Sequence, residues 1–430
     1  SQVEVSRAFL GTDGEVLTET IILEESPLNL PESSKYSQLP GFPKKVGAHP
    51  NFKNFRGVTL ADIDGDGAEE ILVAAYNKLI VYKGNGDLLW SKNLIGTAIY
   101  PPAVADMDGN GTLGIVQVTG GIPNNGRVYY MDVNGNDYDG WPVSFSNHWI
   151  ICSPALADVS GDGVREIIFQ TRTSNNLHVM KTDGTPLNDN WPVNLNGTPA
   201  ITPSVADIDN NGSMEIITAT SNGVLFAFDM NGQPKAGFPV PSDDYSFSYQ
   251  SPMLVDLDGN NQLSIVGSTH GNAPKFYVRN NDGTYRTGWP VPVPDNSWTY
   301  SPPTVVDLDN SGDYKIFTSR PIFDGVLPVV FGFNSDGSNM NNFPISKDGG
   351  LESFISVADI DGNGQHNLVF GSNTMIDGQG FIHAWKMDGT GELEGFPLRP
   401  FGFTYMNGAN LGDVNGDGTV SYTHLRAHET

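Results

Sequence analysis

The sequence predicts an all-β fold, a β-propeller of four-stranded blades with seven full blades plus the start of an eighth. Three landmarks predict this fold, because they recur in the same order with a spacing of 44 to 54 residues. They are an acidic loop of the form D-x-D-x-D-G-x-x-E, a D-G or N-G turn, and a G-[FW]-P segment. Separate sandwich domains do not keep so regular a period.

The acidic loop begins eight times along the chain. Its first residues are Asp62, Asp106, Asp158, Asp207, Asp256, Asp307, Asp359 and Asp413. The aromatic landmark keeps the same period, with Trp90 in the one slot that has no proline. Its members are Phe42, Trp90, Trp141, Trp191, Phe238, Trp289, Phe343 and Phe396. We expect these aromatic residues to pack between blades rather than to contact a ligand.

Each repeat contains four short strand patterns. In the fourth repeat, residues 202–207 lead into the loop, 214–220 leave it, 223–229 run to the turn, and G-F-P-V closes the unit. Apolar runs of this length, bounded by Gly, Asn and Asp, predict strands, and no segment shows a sustained helical period. Four strands in about 50 residues is typical of a propeller blade.

The repeats predict the domain boundaries. The propeller covers 39–420, and 1–38 is an N-terminal extension in which 16–25 forms an extra strand or the end of a preceding domain. The segment around Phe42 is expected to pair with strands from the C-terminus, which would complete an eighth blade. Residues 421–430 lack the character of the repeat and are interpreted as a non-native tail.

Composition limits the possible partners. The chain has 23 Lys and Arg against 49 Asp and Glu, a net charge of −26, which disfavours nucleic acid and anionic lipid. No apolar run is long enough for membrane insertion. The single cysteine, Cys152, excludes an intramolecular disulfide and is expected on a buried strand. A first residue other than Met suits a processed export product, so we expect a monomer outside the cell or on a bacterial cell surface.

The acidic loops predict calcium sites, because oxygen ligands at alternate positions of a tight loop suit Ca²⁺. Counting from the first Asp, positions 1, 3, 5 and 9 offer side chains and position 7 offers its carbonyl. Three loops have the strongest ligand sets. They are Asp62, Asp64, Asp66, Ala68 and Glu70; Asp158, Ser160, Asp162, Val164 and Glu166; and Asp207, Asp209, Asn211, Ser213 and Glu215. We expect these ions to be structural, since the loop recurs once per blade.

The remaining loops are weaker candidates. The seventh offers Asp359, Asp361, Asn363, Gln365 and Asn367, the second Asp106, Asp108 and Asn110, and the fifth Asp256, Asp258 and Asn260. In the sixth loop, Lys315 at position 9 is expected to replace the cation by pairing with Asp307 and Asp309. For any single loop, the alternative is an Asx-rich turn without metal.

The pattern A-D-I-D-G-D-G-x-x-E-I, followed by an apolar strand, a D-G or N-G turn and G-[FW]-P, resembles the FG-GAP/VCBS repeat family. The resemblance covers about residues 39–420. It implies calcium between the first and second strands of each blade. It also implies extracellular adhesion or ligand binding, as in integrin α-subunit-like propellers and exported bacterial proteins. The sixth loop departs most from the pattern.

A ligand is expected at the end of the blades opposite the acidic loops. Strands alternate in direction, so the connections after strands two and four share that end, and they are rich in aromatic residues. The candidate ligand residues are Tyr100, His148, Trp149, Tyr249, Trp298 and Tyr300. They suit stacking on a glycan or docking on an extracellular protein. The alternative is that they only cover the blade ends.

These observations favour a non-catalytic adhesion or ligand-binding module. The sequence has no H-E-x-x-H and no G-x-S-x-G motif, and we assign no catalytic residue. The alternative is a calcium-dependent polysaccharide lyase, whose base would be sought among His148, Lys275 and Arg320. A third interpretation makes 413–420 the start of a dockerin-like calcium module.

Overall fold

The computed structural model describes most of the chain, which divides into two compact units, Ser1–Gln38 and Leu39–Thr430. The described residues are 2–10, 16–24, 39, 41–42, 44–47, 57–120, 125–150, 152–199, 201–242, 246–247, 251–296, 299, 302–307, 309–321, 325–351, 354–373, 380–398, 409–416, 421–423 and 426–427. In the first unit, β1 (Gln2–Leu10) pairs antiparallel with β2 (Val16–Glu24).

The second unit is built of consecutive antiparallel sheets, here numbered 1 to 8 along the chain. The first begins after β3 (Lys45–Val46). Sheets 1 to 4 contain β4 (Thr59–Ala61), β5 (Glu70–Tyr82) and β6 (Leu88–Ala98); β7 (Ala103–Asp106), β8 (Leu113–Thr119), β9 (Asn125–Met131) and β10 (Val143–Ser146); β11 (Ala155–Ala157), β12 (Glu166–Thr171), β13 (Asn176–Met180) and β14 (Val193–Asn194); and β15 (Ser204–Ala206), β16 (Glu215–Thr220), β17 (Val224–Phe228) and β18 (Val240–Pro241).

The later sheets are also antiparallel, with three strands in sheet 7 and two in sheet 8 among the described residues. They contain β19 (Ser246–Phe247), β20 (Met253–Val255), β21 (Ser264–His270), β22 (Lys275–Arg279) and β23 (Val291–Pro292); β24 (Thr304–Val306), β25 (Lys315–Ser319), β26 (Val326–Asn334) and β27 (Ile345–Asp348); β28 (Ser356–Ala358), β29 (Asn367–Asn373) and β30 (Gly380–Lys386); and β31 (Asn410–Gly412) with β32 (Ser421–Thr423). Finally, β33 (Arg426–Ala427) pairs in parallel with β3. The only helical segment among the described residues is a short 3₁₀ turn, Pro294–Asn296.

The predicted four-strand repeat is confirmed in sheets 2, 3, 4 and 6. Sheet 5 adds β19, which pairs with β21. In sheet 1, the long strand β5 takes the place of both the second and the third strand. Its two buried segments are separated by the exposed residues Tyr76–Lys78, and Tyr76 has a φ of 57°. Across the described ranges, no helix is long and apolar enough to cross a membrane.

Burial explains why each strand has its sequence. The second strand of a sheet is covered on both faces, so β12 (E-I-I-F-Q-T) has all six residues buried. The third strand, such as β17, alternates between buried and half-buried residues. Continuous apolar runs and period-two runs are the patterns expected for these two environments.

Each sheet packs on the next through an apolar layer. The layer between sheets 2 and 3 joins Val116 and Trp141 to Ile167 and Phe169, and it also holds Cys152. Cys152 is buried, as predicted, but it lies in a bend before β11 rather than on a strand, and its burial raises the pKa of the thiol to about 12. Equivalent layers lie between the other neighbouring sheets. Four-stranded antiparallel sheets packed face to face in this way are the blades of a propeller.

The aromatic landmark joins neighbouring sheets, as the sequence predicts. The indole Nε1 of Trp141 donates to the carbonyl of Thr182 in the turn of the next sheet at 2.7 Å. Trp191 and Trp289 make the same bond to Met230 and Ser335. Trp90, which lacks the proline, also donates to the next turn, at Val133.

The first strands of successive sheets also contact one another. Hydroxyl groups carry part of this contact, since Ser204 Oγ donates to the carbonyl of Pro252 at 2.8 Å and Ser356 Oγ donates to that of Ala409. The first strand of sheet 8, β31, contacts the first strands of sheets 7 and 1, β28 and β4. A further apolar layer joins Val414 to sheet 1 residues such as Ile71. The two ends of the second unit are therefore adjacent.

The contacts of Trp141 predict a graded loss of stability. Trp141→Phe removes one inter-sheet hydrogen bond and part of a buried ring, so we expect a cost of about 1–3 kcal/mol in the free energy of unfolding. Trp141→Ala should cost about 3–5 kcal/mol. Urea unfolding measures both. Leu88→Ala, at a site that is 58% exposed, is the control and should change little. If both Trp141 variants had the same free energy of unfolding as the wild type, the proposed packing role of Trp141 would be contradicted.

Candidate metal centres

The acidic loops connect the first and second strands of each sheet. In the third loop, Asp158 accepts backbone hydrogen bonds from Gly161 (2.7 Å), Asp162 (3.1 Å) and Gly163 (2.9 Å). Gly163 has a φ of 89°, a conformation that glycine adopts at little cost. The fifth loop places Asn261 there with a φ of 63°, because asparagine tolerates the same conformation. The loop shape thus depends on the position 1 aspartate.

The same backbone bonds recur in the weaker loops. Asp106 accepts from Gly111 at 2.8 Å, and Asp359 accepts from Gly364 at 2.7 Å. These N–H groups are the main reason why the pKa of each carboxyl lies below its ordinary value. The side chains are therefore held ionised.

The position 9 glutamates accept hydrogen bonds from the backbone at the start of each loop. Glu166 Oε2 accepts from the backbone N–H of Val159 at 2.8 Å, and Glu70 and Glu215 accept from Ile63 and Ile208 at 3.0 Å. All three glutamates are almost fully buried, and burial raises the pKa of each. A buried carboxyl of this kind needs a neighbouring cation, or a proton, to offset its lost hydration.

The structure brings three sets of carboxylates together. In each set, the candidate ligand oxygens lie within 4.8 Å of one another. The sets are Asp62, Asp64 and Asp66; Asp158, Asp162 and Glu166; and Asp207, Asp209 and Glu215. These belong to the three loops with the strongest predicted ligands. One ion with metal–oxygen distances of 2.3–2.6 Å can touch oxygens at this separation.

The fourth loop offers a further sign that a cation fits. Asp209 Oδ1 is buried, and no hydrogen-bond donor contacts it in the described part of the chain. A buried acceptor without a partner is costly in a folded protein. The donor set is also entirely oxygen, which suits a hard cation.

Basic side chains reach some of the loops, which the sequence analysis missed. Lys83 Nζ lies 2.6 Å from Asp64 Oδ2 and 3.6 Å from Asp66. Lys235 contacts Asp209, and it also lies 3.4 Å from Glu215. In the fifth loop, the Arg286 guanidinium binds both oxygens of Asp258 at 2.7 Å.

The signal that could have revealed two of these bases is their position. Lys235 and Arg286 both lie three residues before the aromatic landmark of their sheet. Local spacing within the loop does not show them, because they are 26 and 28 residues from the carboxylates that they contact.

The prediction for Lys315 was wrong in its partners. Its ammonium donates to Asp313 Oδ1 at 2.7 Å and to Asn334 Oδ1 at 2.9 Å, rather than to Asp307 or Asp309. The reason is strand pairing, which places Asn334 directly across from Lys315. The ammonium is therefore drawn toward the neighbouring strand.

The eighth loop lies beside the first. Its first residue, Asp413, accepts a backbone hydrogen bond from Glu69 at 3.3 Å. Similar bonds join Arg165 to Met107 and Leu263 to Ile208 between other neighbouring loops. Position 5 of the eighth loop lies outside the described residues.

At the opposite end, the connections after strands two and four meet, as predicted. Arg172 N donates to the carbonyl of Trp149 at 2.7 Å, and Trp149 N donates to Thr173 Oγ1 at 3.1 Å. The Arg172 guanidinium lies 5.5 Å from the Trp149 ring centroid. His148 and Trp149 are half-buried. Arg172 and Thr173 were not among the predicted ligand residues.

Of the other candidate ligand residues, Tyr100 lies in the described part of the chain. Tyr100 is half-buried, and its carbonyl accepts from Gln117 Nε2 at 3.1 Å. Tyr249, Trp298 and Tyr300 lie outside the described residues.

The three candidate bases of a lyase lie on different sheets. His148 follows β10 in sheet 2, Lys275 begins β22 in sheet 5, and Arg320 follows β25 in sheet 6. Arg320 is completely buried, and its guanidinium donates to the carbonyls of Pro328 and Pro294. Arg320 therefore anchors main chain and does not face solvent.

The sequence analysis also missed a hydrogen-bonded chain in sheet 7. Ser372 Oγ lies 2.7 Å from His383 Nε2, and His383 Nδ1 lies 2.6 Å from Glu392 Oε1. This order resembles a nucleophile, its base and an orienting acid. Ser372 is fully buried, however. No motif spacing signals the set.

A second histidine shows that this arrangement is structural. His178 in sheet 3 faces Phe169 across the strands, as His383 faces Phe370, and its Nε2 lies 3.0 Å from Thr171 Oγ1. The hydroxyl–histidine pair therefore recurs where no carboxylate follows. We interpret both histidines as structural residues that stack on a buried phenylalanine.

Comparison with known proteins supports the repeat assignment. Residues 62–117 match the family model described as FG-GAP-like repeat, which confirms the resemblance over that segment. No curated protein matches the chain.

Several solved structures resemble the fold at a distance. BBS1N in complex with ARL6DN is 13% identical, with 81% of this chain and 91% of that chain covered and a TM-score of 0.47. BamB from Moraxella catarrhalis is 18% identical, with 76% and 83% covered and a TM-score of 0.46. The V. cholerae biofilm matrix protein Bap1 is 14% identical, with 90% and 88% covered and a TM-score of 0.43.

The half-buried histidine of sheet 3 predicts a pH dependence of stability. Burial lowers the pKa of His178 to about 3 from its ordinary 6.5. Between these values the unfolded chain binds more protons, so the stability that is present above pH 6.5 is lost as the pH falls toward 3. The advantage of the wild type over His178→Gln should shrink by up to about 1.4 kcal/mol per pH unit.

Urea unfolding between pH 7 and pH 4 measures this difference. His178→Phe is the control, because two variants without a titrating group at this site should share one pH profile. A difference between wild type and variants that stays constant over this range would contradict the assignment.

Proposed function

We propose that this chain is a secreted or cell-surface propeller, stabilised by calcium, that acts as a non-catalytic binding module for a glycan or an extracellular protein. The observation that carries the proposal is the contrast between the two ends of the sheets. Carboxylate clusters recur at one end, and the Trp149–Arg172 pair lies at the other.

Closure of the sheets into one ring is part of the proposal. The contacts of β31 with β28 and β4, the layer around Val414, and the Glu69–Asp413 bond support eight blades rather than seven. A closed ring leaves no sheet face without a neighbour, which favours stability in a chain that has no disulfide.

The residues present fit Ca²⁺ in the first, third and fourth loops. Asp158, Asp162 and Glu166 would hold the ion in the third loop, together with the carbonyl of Val164. Bound calcium supplies positive charge among clustered carboxylates in a chain of net charge −26. A cluster that recurs from sheet to sheet suits a structural role better than a catalytic one, because catalysis needs a single site.

The opposite end supplies the chemistry of a binding surface. A half-buried indole beside a guanidinium offers a flat apolar face and hydrogen-bond donors, a combination that suits a sugar ring or a polar peptide segment. The acidic character of the chain disfavours anionic polymers in general.

The alternative, a calcium-dependent polysaccharide lyase, gains no support from these residues. Its candidate bases lie on three different sheets, and Arg320 is buried. The Ser372–His383–Glu392 chain offers no better starting point, since its hydroxyl is fully buried.

Calcium removal tests the metal part of the proposal. Calcium at 100 times its dissociation constant should add about 2.7 kcal/mol of stability per site, so EGTA should lower the unfolding midpoint. The double variant Asp158→Asn, Asp162→Asn should lose one site's share. Asp189→Asn, which removes an exposed carboxylate that belongs to none of the three clusters, is the control. An unfolding midpoint that calcium and EGTA leave unchanged would refute this part.

Binding at the opposite end is tested with Trp149→Ala. A glycan and polysaccharide array should show ligands that bind the variant at least tenfold more weakly than the wild type. A loss of this size is expected when one buried aromatic contact is removed. The calcium-dependent rise in the unfolding midpoint should be unchanged. Product release from an acidic polysaccharide by the wild type would instead favour the lyase.

A further inference from the structure

Two neighbouring loops hold similar carboxylate sets but differ in one basic residue. In sheet 4, the Lys235 ammonium contacts Asp209 and lies 3.4 Å from Glu215. These are two of the three acids whose oxygens form the cluster of that loop. The Lys235 side chain is only 12% exposed, so its nitrogen is held among the candidate ligand oxygens.

The third loop has no such cation. The position equivalent to Lys235, three residues before the aromatic landmark, holds Asn188. Its amide Nδ2 donates to the carbonyl of Met230 at 3.2 Å, and its Oδ1 accepts from Asn190 at 3.0 Å. In the described part of the chain, no lysine or arginine forms an ion pair with the cluster of Asp158, Asp162 and Glu166.

A third sheet shows that this position reaches the loop systematically. Arg286 lies three residues before Trp289, and it binds the position 3 carboxylate of its own sheet, Asp258, through two hydrogen bonds of 2.7 Å. Lys235 contacts the same position 3 carboxylate in sheet 4, at Asp209. A basic residue at this site is therefore directed at the candidate metal ligands in both sheets that have one.

An ammonium and a divalent cation compete for the same oxygens. With Lys235 in place, the net negative charge of the cluster is smaller, and the nitrogen blocks the approach to Asp209 and Glu215. The ammonium must therefore leave before those oxygens can take a metal ion. A lysine on a flexible four-carbon stem can do so, but only by losing its own ion pairs.

We propose that Lys235 is a tethered competitor that weakens metal binding in the fourth loop and replaces the metal when it is absent. This inference rests on the proposed function, in which these loops bind calcium. The third loop, with Asn188, is then the tight site, and it depends on calcium for its stability. In the third and fourth loops, the residue three positions before the aromatic landmark then sets the difference in calcium affinity.

Reciprocal substitutions test the proposal, with Ca²⁺ itself as the probe in isothermal titration calorimetry. Lys235→Asn should tighten binding to the fourth loop at least tenfold, and adding Asp209→Asn should abolish the gain. Asn188→Lys should weaken calcium binding at the tightest site at least tenfold. In a chain that already carries Asp158→Asn and Asp162→Asn, the same substitution should not change calcium binding further. Lys78→Asn, which removes an exposed positive charge between the second and third strand positions of sheet 1, at the end opposite the loops, is the control.

Thermal unfolding in EGTA is the second readout. Lys235→Asn should lower the metal-free unfolding temperature, because Glu215 and Asp209 lose their only described cation, whereas calcium should restore it. This readout remains informative if Asn188→Lys fails to fold.

The outcomes separate the two proposals. A wild type that binds no calcium overturns the proposed function and this inference with it. A wild type that binds calcium, with Lys235→Asn indistinguishable from Lys78→Asn in affinity and in EGTA, overturns the inference alone.

Discussion

The loop between the first two strands is held by hydrogen bonds from the backbone to two carboxyl groups. Asp158 gathers the N–H groups of the turn, and the buried Glu166 accepts from Val159, where the first strand has just ended. This pair fixes the start of the second strand, whose two faces both lie in apolar layers between sheets. The register of a sheet and its packing on both neighbours therefore depend on a group that burial makes costly to ionise.

That constraint creates a need for positive charge, or for loss of the negative charge, beside the buried position 9 residue. Three solutions coexist along one chain. In the third loop, the described residues supply no basic partner, which leaves a place for a metal ion. In the fourth, Lys235 supplies a positive charge. In the seventh, Asn367 replaces the glutamate and keeps the hydrogen bond, to Ile360 at 3.3 Å, without the charge. A repeated fold can thus meet one electrostatic requirement in different ways.

The repeat made the fold predictable, because a period fixed by three landmarks determines strand order, turn type and the residues between sheets. The position of Trp90 followed from it. Contacts between side chains that are distant in sequence did not. Lys315 was assigned to the wrong acids because its cross-strand partner, Asn334, follows from register rather than from loop spacing. The same reason explains why the contacts of Lys235, of Arg286 and within the Ser372–His383–Glu392 chain were missed. Each of these contacts joins residues on different strands or loops.

The central claim is that the acidic loops are metal sites, and that a lysine or arginine beside a loop lowers its metal occupancy. The most direct measurement is anomalous X-ray scattering from crystals grown in calcium chloride. The account predicts a strong peak among Asp158, Asp162 and Glu166, a weaker one in the fourth loop, and none beside Arg286 in the fifth. Absence of a peak in the third loop, with its carboxylates ordered, would contradict it.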